Sequence, residues 1–481
     1  MLPPWEECAR GTAVRGIQIP DRHRSALGFE PNNFTQAHVT IARRPITWVA
    51  RLGAALYFRV RYSGNLIPPE GSVLLVANHP NSLLDPVLVL AAARRPVRFL
   101  AKAPLFDDPL TGWFVRLGGA IPVHRRQDAA MGAVQNDAMF ASVHAALLAG
   151  DAIGLFPEGV SHSGASLAPL KTGAARIALG AARQIGGAFP IVPVGLVFRS
   201  KDTFRSRALV LRGEPVAWSD LAERRTDDVD AVRELTGRIE ASLRRQTINL
   251  LSWQDQPAVE MAVRIWEAEQ RVLPDGGGRV LRIGEAARML EQARDVSDPE
   301  VQTIVEELAT HARRLDRLRL RPADLASGPG SKRGSLRALS VLPMLLPLSL
   351  AVAVASWLAF LVPYQLTGFV TRRLHLAEDI RSTWKALLGS AIYLIWMMAL
   401  TALVWRYSGW PLALIVLVGL PVIGVVGLII RERWGGAWQD ARRFLLVRSR
   451  RSLVASLGLR QRELAAHLEH FLLRYPAVEE P

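Results

Sequence analysis

The sequence has a single cysteine, Cys8, among 481 residues. That leaves no disulfide framework and no thiolate metal site. It also lacks metal-ligand spacing of the zinc type, a glycine-rich phosphate cradle and a Gly-x-Ser-x-Gly nucleophile elbow. Acidic residues are outnumbered, 43 against 59 basic, for a net charge of +16. A surplus of that size points to nucleic acid or to an anionic membrane surface. Aromatics make up only 7% of the chain and do not interleave with the basic residues, so no nucleic-acid module is expected. The basic residues, nearly all arginine, instead flank apolar stretches, as at Arg43-Arg44, Arg59 and Arg61, Arg372-Arg373 and Arg442 to Arg451. The membrane reading is the one that fits. No apolar core follows the N-terminal charges, so no secretory signal is expected.

Residues 1–40, polar and dotted with Pro3, Pro4, Pro20 and Pro31, read as a poorly ordered leader. Residues 41–220 read as an α/β unit. It opens with a mixed apolar and arginine stretch, Pro45–Tyr62, that suits an amphipathic helix in the membrane interface or an ordinary core-facing helix. Short apolar runs then predict strands at Val73–Ala77, Arg98–Lys102, Ala120–Val123, Ala152–Phe156, Ile191–Phe198 and Ala208–Arg212. Helical periods fall between them, the clearest at Ala129–Leu148 and Gly173–Arg183. Residues 221–330 read as a charged helical region ending in the linker Ser327-Gly328-Pro329-Gly330-Ser331.

Residues 331–435 form the membrane region. Ala386–Trp405 and Trp410–Ile430 carry no charge in their interiors, and each has the length of about 20 residues that spans a bilayer. Ala338–Val370 is longer and is interrupted by Pro343, Pro347 and Pro363. A re-entrant hairpin over 338–370 keeps both flanking basic segments on one side, as the positive-inside bias demands. Residues 436–481 read as a basic amphipathic helix on the cytoplasmic surface.

The chemistry is concentrated in Asn78-His79-Pro80-Asn81-Ser82-Leu83-Leu84-Asp85, which links the end of a strand to the start of a helix. Open α/β folds place ligands at such junctions. A histidine with a carboxylate supports base catalysis, because the carboxylate holds the imidazole tautomer and stabilises its charged form. Five residues separate His79 from Asp85. On a continuous helix that is about 600° of rotation, which points the two side chains apart. They meet only if the junction curls back, and Pro80-Asn81-Ser82 is suitable turn chemistry.

This block is followed by Gly119-Ala120-Ile121-Pro122-Val123-His124-Arg125, by Phe156-Pro157-Glu158-Gly159 and by Ile191-Val192-Pro193-Val194-Gly195. The four blocks in this order resemble the glycerolipid acyltransferase superfamily of the PlsC type, over roughly residues 45–220. The superfamily usually has four residues between histidine and aspartate. The fifth one here resembles the fungal-type glycerol-3-phosphate and dihydroxyacetone-phosphate acyltransferase branch. So do Phe156–His162 running on to Leu167–Gly173, and Phe204-Arg205-Ser206-Arg207 leading to Gly213-Glu214-Pro215. Val160-Ser161 replaces the Thr-Arg that commonly follows Phe-Pro-Glu-Gly in the superfamily.

The resemblance implies an α/β acyltransferase domain with a mixed sheet flanked by helices, followed here by the helical region and C-terminal transmembrane helices. It implies His79 as general base and Asp85 as its partner. Asn78, Arg125, Glu158, Gly159, Lys171, Arg205 and Arg207 become candidates for binding the acceptor, and Pro193 for shaping the acyl channel. Arg125 leads for phosphate, since a guanidinium fork matches phosphate oxygens. Glu158 is positioned to hold an acceptor hydroxyl, and His124 and His162 read as bystanders. The expected partners are an acyl thioester of coenzyme A or a carrier protein, a glycerol phosphate-type acceptor and membrane lipids. Neither metal nor cofactor is expected.

The leading expectation is a membrane O-acyltransferase acting on glycerol 3-phosphate or dihydroxyacetone phosphate, in a bacterial inner membrane with its catalytic domain facing the cytoplasm. The alternatives are a lysophosphatidate or other lysophospholipid acyltransferase, a thioester or lipid hydrolase, and a silent membrane scaffold.

Overall fold

The computed structural model describes residues 33–108, 112–123, 132–272, 275–326, 335–374 and 378–475. Its centre is a seven-stranded mixed sheet built from β1 (Arg59–Gly64), β2 (Val73–Ala77), β3 (Val97–Lys102), β4 (Ile121–Val123), β5 (Ala152–Leu155), β6 (Ile191–Phe198) and β7 (Arg207–Arg212). The strand order is β1-β7-β6-β2-β5-β3-β4. β6, β2, β5, β3 and β4 run parallel, β7 is antiparallel to β6, and β1 is parallel to β7.

β2 is the middle strand, and every residue in it is buried. Its side chains alternate between two apolar layers, as strand periodicity requires. Leu74 and Val76 face α5 (Gly132–Leu148) and α6 (Gly173–Ile185), where Val143, Leu147, Ile177 and Leu179 complete the layer. Val73, Leu75 and Ala77 face α1 (Asn33–Tyr57) and α2 (Leu84–Ala93) through Ala50, Ala54, Leu88 and Val89.

α1 combines the two readings weighed for residues 45–62. One face packs into the core, while Trp48, Val49 and Leu52 are more than 60% exposed. The stretch ends earlier than expected: residues 59–64 are an edge strand, and the alternation of Arg59, Val60, Arg61 and Tyr62 hid its period inside an arginine-rich helical pattern.

The charged region folds as α7 (Val229–Arg245), α8 (Gln256–Glu269), α9 (Gly276–Asp295), α10 (Glu300–Leu318) and α11 (Pro322–Ala326). The linker expected at 327–331 lies outside the described residues, as does the leader through residue 32. Next come α12 (Ser335–Arg373), α13 (Glu378–Ser408) and α14 (Trp410–Ser449). Within them, Pro347–Arg373, Arg381–Ser408 and Trp410–Ser449 are long and apolar enough to cross a membrane. Many of their large apolar side chains, such as Trp357, Ile395 and Ile415, face outward. These helices mark the chain as a membrane protein.

Two expectations are corrected here. Residues 338–370 do not reverse as a re-entrant hairpin, because α12 is one continuous helix. Packing between helices offsets the prolines: Phe360 stacks on Tyr393 of α13, and the Trp396 indole N–H donates to the Ala359 carbonyl at 2.8 Å. The C-terminal α15 (Arg451–Arg474) does not spend its apolar face on a membrane surface. Leu457 and Leu464 are buried against Met261, Ile265, Leu308 and Leu315 of α8 and α10.

Candidate active site

The site begins where β2 ends. Asn78 is tied to the neighbouring strand: its Nδ2 donates to the Leu196 carbonyl at 3.0 Å, and its Oδ1 accepts from the Leu196 N–H at 2.7 Å. The chain then turns through Pro80-Asn81-Ser82. Ser82 takes a left-handed φ of 46°, a conformation rare for a non-glycine residue, and this curls the backbone into α2. The curl carries Asp85, fully buried in the first turn of α2, back to His79.

The His79 Nδ1 to Asp85 Oδ2 distance is 2.9 Å. Asp85 Oδ2 also accepts from the Asn81 N–H at 2.6 Å. A carboxylate oxygen accepts and does not donate, so Nδ1 carries the proton and Nε2 keeps its lone pair. Burial pushes the Asp85 carboxyl above its ordinary value, opposed by the bonds from His79 and Asn81. The imidazole lies flat on Phe156, with ring centroids 4.0 Å apart and planes 11° apart.

Glu158 follows β5 and is 2% exposed. Its Oε1 accepts from the His79 N–H at 2.7 Å, and its Oε2 accepts from the Ala168 N–H at 3.0 Å and from His162 Nε2. His162 Nδ1 accepts from the Gly164 N–H at 3.0 Å, which assigns the proton to Nε2. The His162 N–H in turn donates to the His79 carbonyl at 3.1 Å. Glu158 therefore braces the backbone of the base. His162, read as a bystander, belongs to this brace.

Gly159 has φ +75°, and a Cβ there would lie 2.8 Å from Lys171 Nζ. The glycine lets the Lys171 side chain cross the Phe-Pro-Glu-Gly turn, while the Lys171 N–H donates to the Pro157 carbonyl at 2.8 Å. Lys171 is exposed, and its ammonium has no carboxylate partner among the described residues.

The remaining predicted residues divide three ways. Arg125 lies outside the described residues. Arg205 is spent on the fold: its Nε and Nη2 donate to Glu432 of α14 at 2.6 and 2.8 Å, and its Nη1 donates to the Ala55 carbonyl. Pro193 sits in β6 with its ring against Gly213, where an added Cβ would lie 2.7 Å from the Pro193 Cγ. It packs within the sheet. Arg207 is exposed at the start of β7 and lines a separate cavity.

No pattern in the sequence places α13 on this turn. The Ser382 hydroxyl donates to Asn81 Oδ1, and the Leu83 N–H donates to Thr383 Oγ1 at 3.2 Å. Asn81 Nδ2 donates to the Lys201 carbonyl at 3.2 Å. Asn81 was legible only as a turn former.

An α/β sheet carrying a His–Asp pair at the carboxyl end of its central strand is the framework on which comparison with known proteins bears. Residues 59–197 match the Acyltransferase family model, consistent with the resemblance of this part of the chain to the glycerolipid, PlsC-type superfamily. The chain is similar to glycerol-3-phosphate O-acyltransferase 2 of Saccharomyces cerevisiae, 33% identical over 144 residues, 29% of this chain and 19% of the relative. It is also similar to the lyso-ornithine lipid O-acyltransferase of Pseudomonas aeruginosa, 35% identical over 133 residues, 27% of this chain and 47% of the relative. The matches thus span less than half the length of either relative. Among solved structures it is similar to the 1-acyl-sn-glycerophosphate acyltransferase PlsC of Thermotoga maritima, with 19% identity and a TM-score of 0.33 over 45% of this chain and 81% of that one.

Proposed function

We propose that this protein is a membrane O-acyltransferase that moves a fatty acyl group from an acyl thioester to a hydroxyl of glycerol 3-phosphate or dihydroxyacetone phosphate. The observation that carries the reading is the His79–Asp85 pair, with Nδ1 committed at 2.9 Å and Nε2 left as a base. As the acceptor oxygen attacks the thioester carbonyl carbon, its proton passes to His79 Nε2. Collapse of the tetrahedral adduct breaks the C–S bond, and the departing sulfur takes that proton from the imidazolium. One ester forms, one thioester is lost, and His79 returns to its starting state. The thioester, of coenzyme A or a carrier protein, supplies the activation, so the enzyme contributes orientation and the base. Lys171, exposed beside the turn, is suited to the acceptor phosphate as a point charge.

A second reading is a lysophospholipid acceptor. It is favoured by the contact between α13 and the His79 turn, which gives a membrane-dissolved acceptor a short path to the base.

The test incubates the detergent-solubilised protein with palmitoyl-CoA and, separately, glycerol 3-phosphate, dihydroxyacetone phosphate, lysophosphatidate or water, with His79→Ala as control. Acylated three-carbon phosphate, lost in the variant, supports the proposal. Product from lysophosphatidate alone moves the enzyme to the second reading, and free fatty acid alone refutes transfer.

A further inference from the structure

A second basic site stands at the same sheet edge and is not part of the His79 cluster. A cavity of about 390 Å³ is lined by Arg59, Arg199, Arg205, Arg207 and Arg431, with Ser200, Thr203, Phe204, Ser206 and Glu432. The sheet register explains the convergence: Arg59 of β1 pairs with Arg207 of β7, and the Arg199 N–H bonds the Arg207 carbonyl at 3.0 Å. Arg431 arrives from α14. Glu432 is the only carboxylate in the lining among the described residues, and Arg205 holds it through two bonds. Glu432 also feels the charges of Arg59 and Arg431, so among the described residues one carboxylate faces five guanidinium groups in this lining. Arg207 feels the crowding: burial and the charges of Arg199, Arg59, Arg61 and Arg321 all lower its pKa. Guanidinium groups gathered in such excess over carboxylate repel one another until a further anion joins them.

The turn Ser200–Thr203 separates this cavity from the base. Lys201 and Asp202 face the other way: Lys201 Nζ donates to the Pro80 carbonyl at 3.2 Å, and Asp202 pairs with Arg381 and Lys385 of α13. Arg207 and Arg59 lie on strands two and three places from β2, about 10 and 14 Å at the usual strand spacing. In glycerol 3-phosphate the far hydroxyl is only about 6 Å from phosphorus, judged from ordinary bond lengths. The cavity and the base are thus set apart on the sheet with the Ser200–Thr203 turn between them, and a phosphate held here is read as belonging to a second molecule, with glycerol 3-phosphate as the ligand that tests it.

The rim identifies the molecule. Phe204 is exposed beside the arginines, Leu56 is exposed on α1, and Ile429 is exposed two residues before Arg431 on an apolar helix. Cations beside an outward-facing apolar surface match an amphiphile with an anionic head. We infer that the Arg59–Arg199–Arg207–Arg431 cavity binds the phosphate headgroup of an anionic phospholipid, docking the catalytic domain onto the bilayer beside α14. The inference goes beyond the acyl-transfer reading, and its test reads binding, so either one can fail alone.

The full-length protein in a neutral detergent is titrated with dioctanoyl phosphatidylglycerol, dioctanoyl phosphatidylcholine, inorganic phosphate and glycerol 3-phosphate, with complexes counted by native mass spectrometry. Phosphatidylglycerol should bind about tenfold more tightly than the other three, in a salt-sensitive way. The preference should fall at least about fivefold in R199Q/R431Q, which removes two charged donors. If the double variant does not fold, R431Q alone on the outer helix carries the test. Equal binding of the two lipids, or a preference untouched by the substitutions, overturns the inference. Inorganic phosphate binding as tightly as phosphatidylglycerol makes this a free-anion site. Loss of glycerol 3-phosphate binding in the variant makes it the acceptor site. Either of these outcomes also overturns the lipid assignment.

Discussion

The side chains of Asn81 and Ser382, 301 residues apart in sequence, are hydrogen-bonded in a fully buried contact between the His79 turn and the first turns of α13. Asn81 uses its other amide atom on the Lys201 carbonyl, and its backbone N–H on Asp85. A membrane helix and the orientation of a catalytic pair thus share one side chain. Ser382→Ala leaves Asn81 Oδ1 buried without its donor, a loss of about 1–3 kcal/mol. Asn81→Ala should cost more, since it strands Ser382 and the Lys201 carbonyl together. Thermal unfolding in detergent should rank the two variants in that order. An Asn81→Ala protein as stable as the wild type would refute the coupling.

The His79–Asp85 pair predicts a split between turnover and binding. His79→Ala should lower kcat by about 10²–10⁴, the usual worth of a general base, and should also lower the melting temperature, since the buried Asp85 carboxylate loses its side-chain donor. In Asp85→Asn the amide oxygen can still accept from His79 and Asn81, but the buried charge that stabilises the imidazolium is gone. The kcat of this variant should fall, with the acceptor KM nearly unchanged. An unchanged kcat would separate Asp85 from the base.

Glu158 is expected from the sequence to hold an acceptor hydroxyl, and its geometry gives it a positioning role beside the base. Both of its oxygens are engaged, by the His79 and Ala168 N–H groups and by His162. Glu158→Gln should therefore lower kcat and stability together, by about 1–3 kcal/mol of unfolding free energy, with the acceptor KM nearly unchanged. His162→Ala should move the same two quantities in the same direction. A rise in acceptor KM with unchanged stability would restore the hydroxyl-binding role.

What the sequence could reveal followed from where each signal is written. β2 and β6 have the bounds their apolar runs predict, because strands buried on both faces read as continuous hydrophobic stretches. β1 is an edge strand with alternating arginines, so composition pointed elsewhere. The turn between His79 and Asp85 was legible because five intervening residues on a continuous helix cannot bring the pair together, and Pro80-Asn81-Ser82 can fold back. The engagement of Asn78, Glu158 and Arg205 was not legible. A motif records which residues recur, whereas Leu196, Ala168 and Glu432 supply the partners that decide whether a side chain is free. The hairpin over 338–370 failed for a related reason. Prolines mark breaks in an isolated helix, and the ring of Tyr393 and the indole of Trp396 that support α12 belong to another helix.

Asp202 supplies a pH dependence for the join between the domain and α13. Partial burial raises its pKa, but the charges of Lys385 and Arg381 outweigh that, so the folded carboxyl lies below its ordinary value of 3.8. A depressed carboxylate contributes stability that is fully present above the unfolded pKa and is lost as pH falls through the folded one. The wild type should therefore be more stable than Asp202→Asn at neutral pH, and the gap should close as pH falls below about 4. The gap should also narrow in high salt, since the partners are half-exposed. Lys385 keeps a second bond, 2.7 Å to the Asp202 carbonyl, which the substitution does not touch, so α13 should loosen without detaching. Melting temperatures of both proteins from pH 3 to 8 provide the check, and a gap that widens on acidification would reverse the assigned sign.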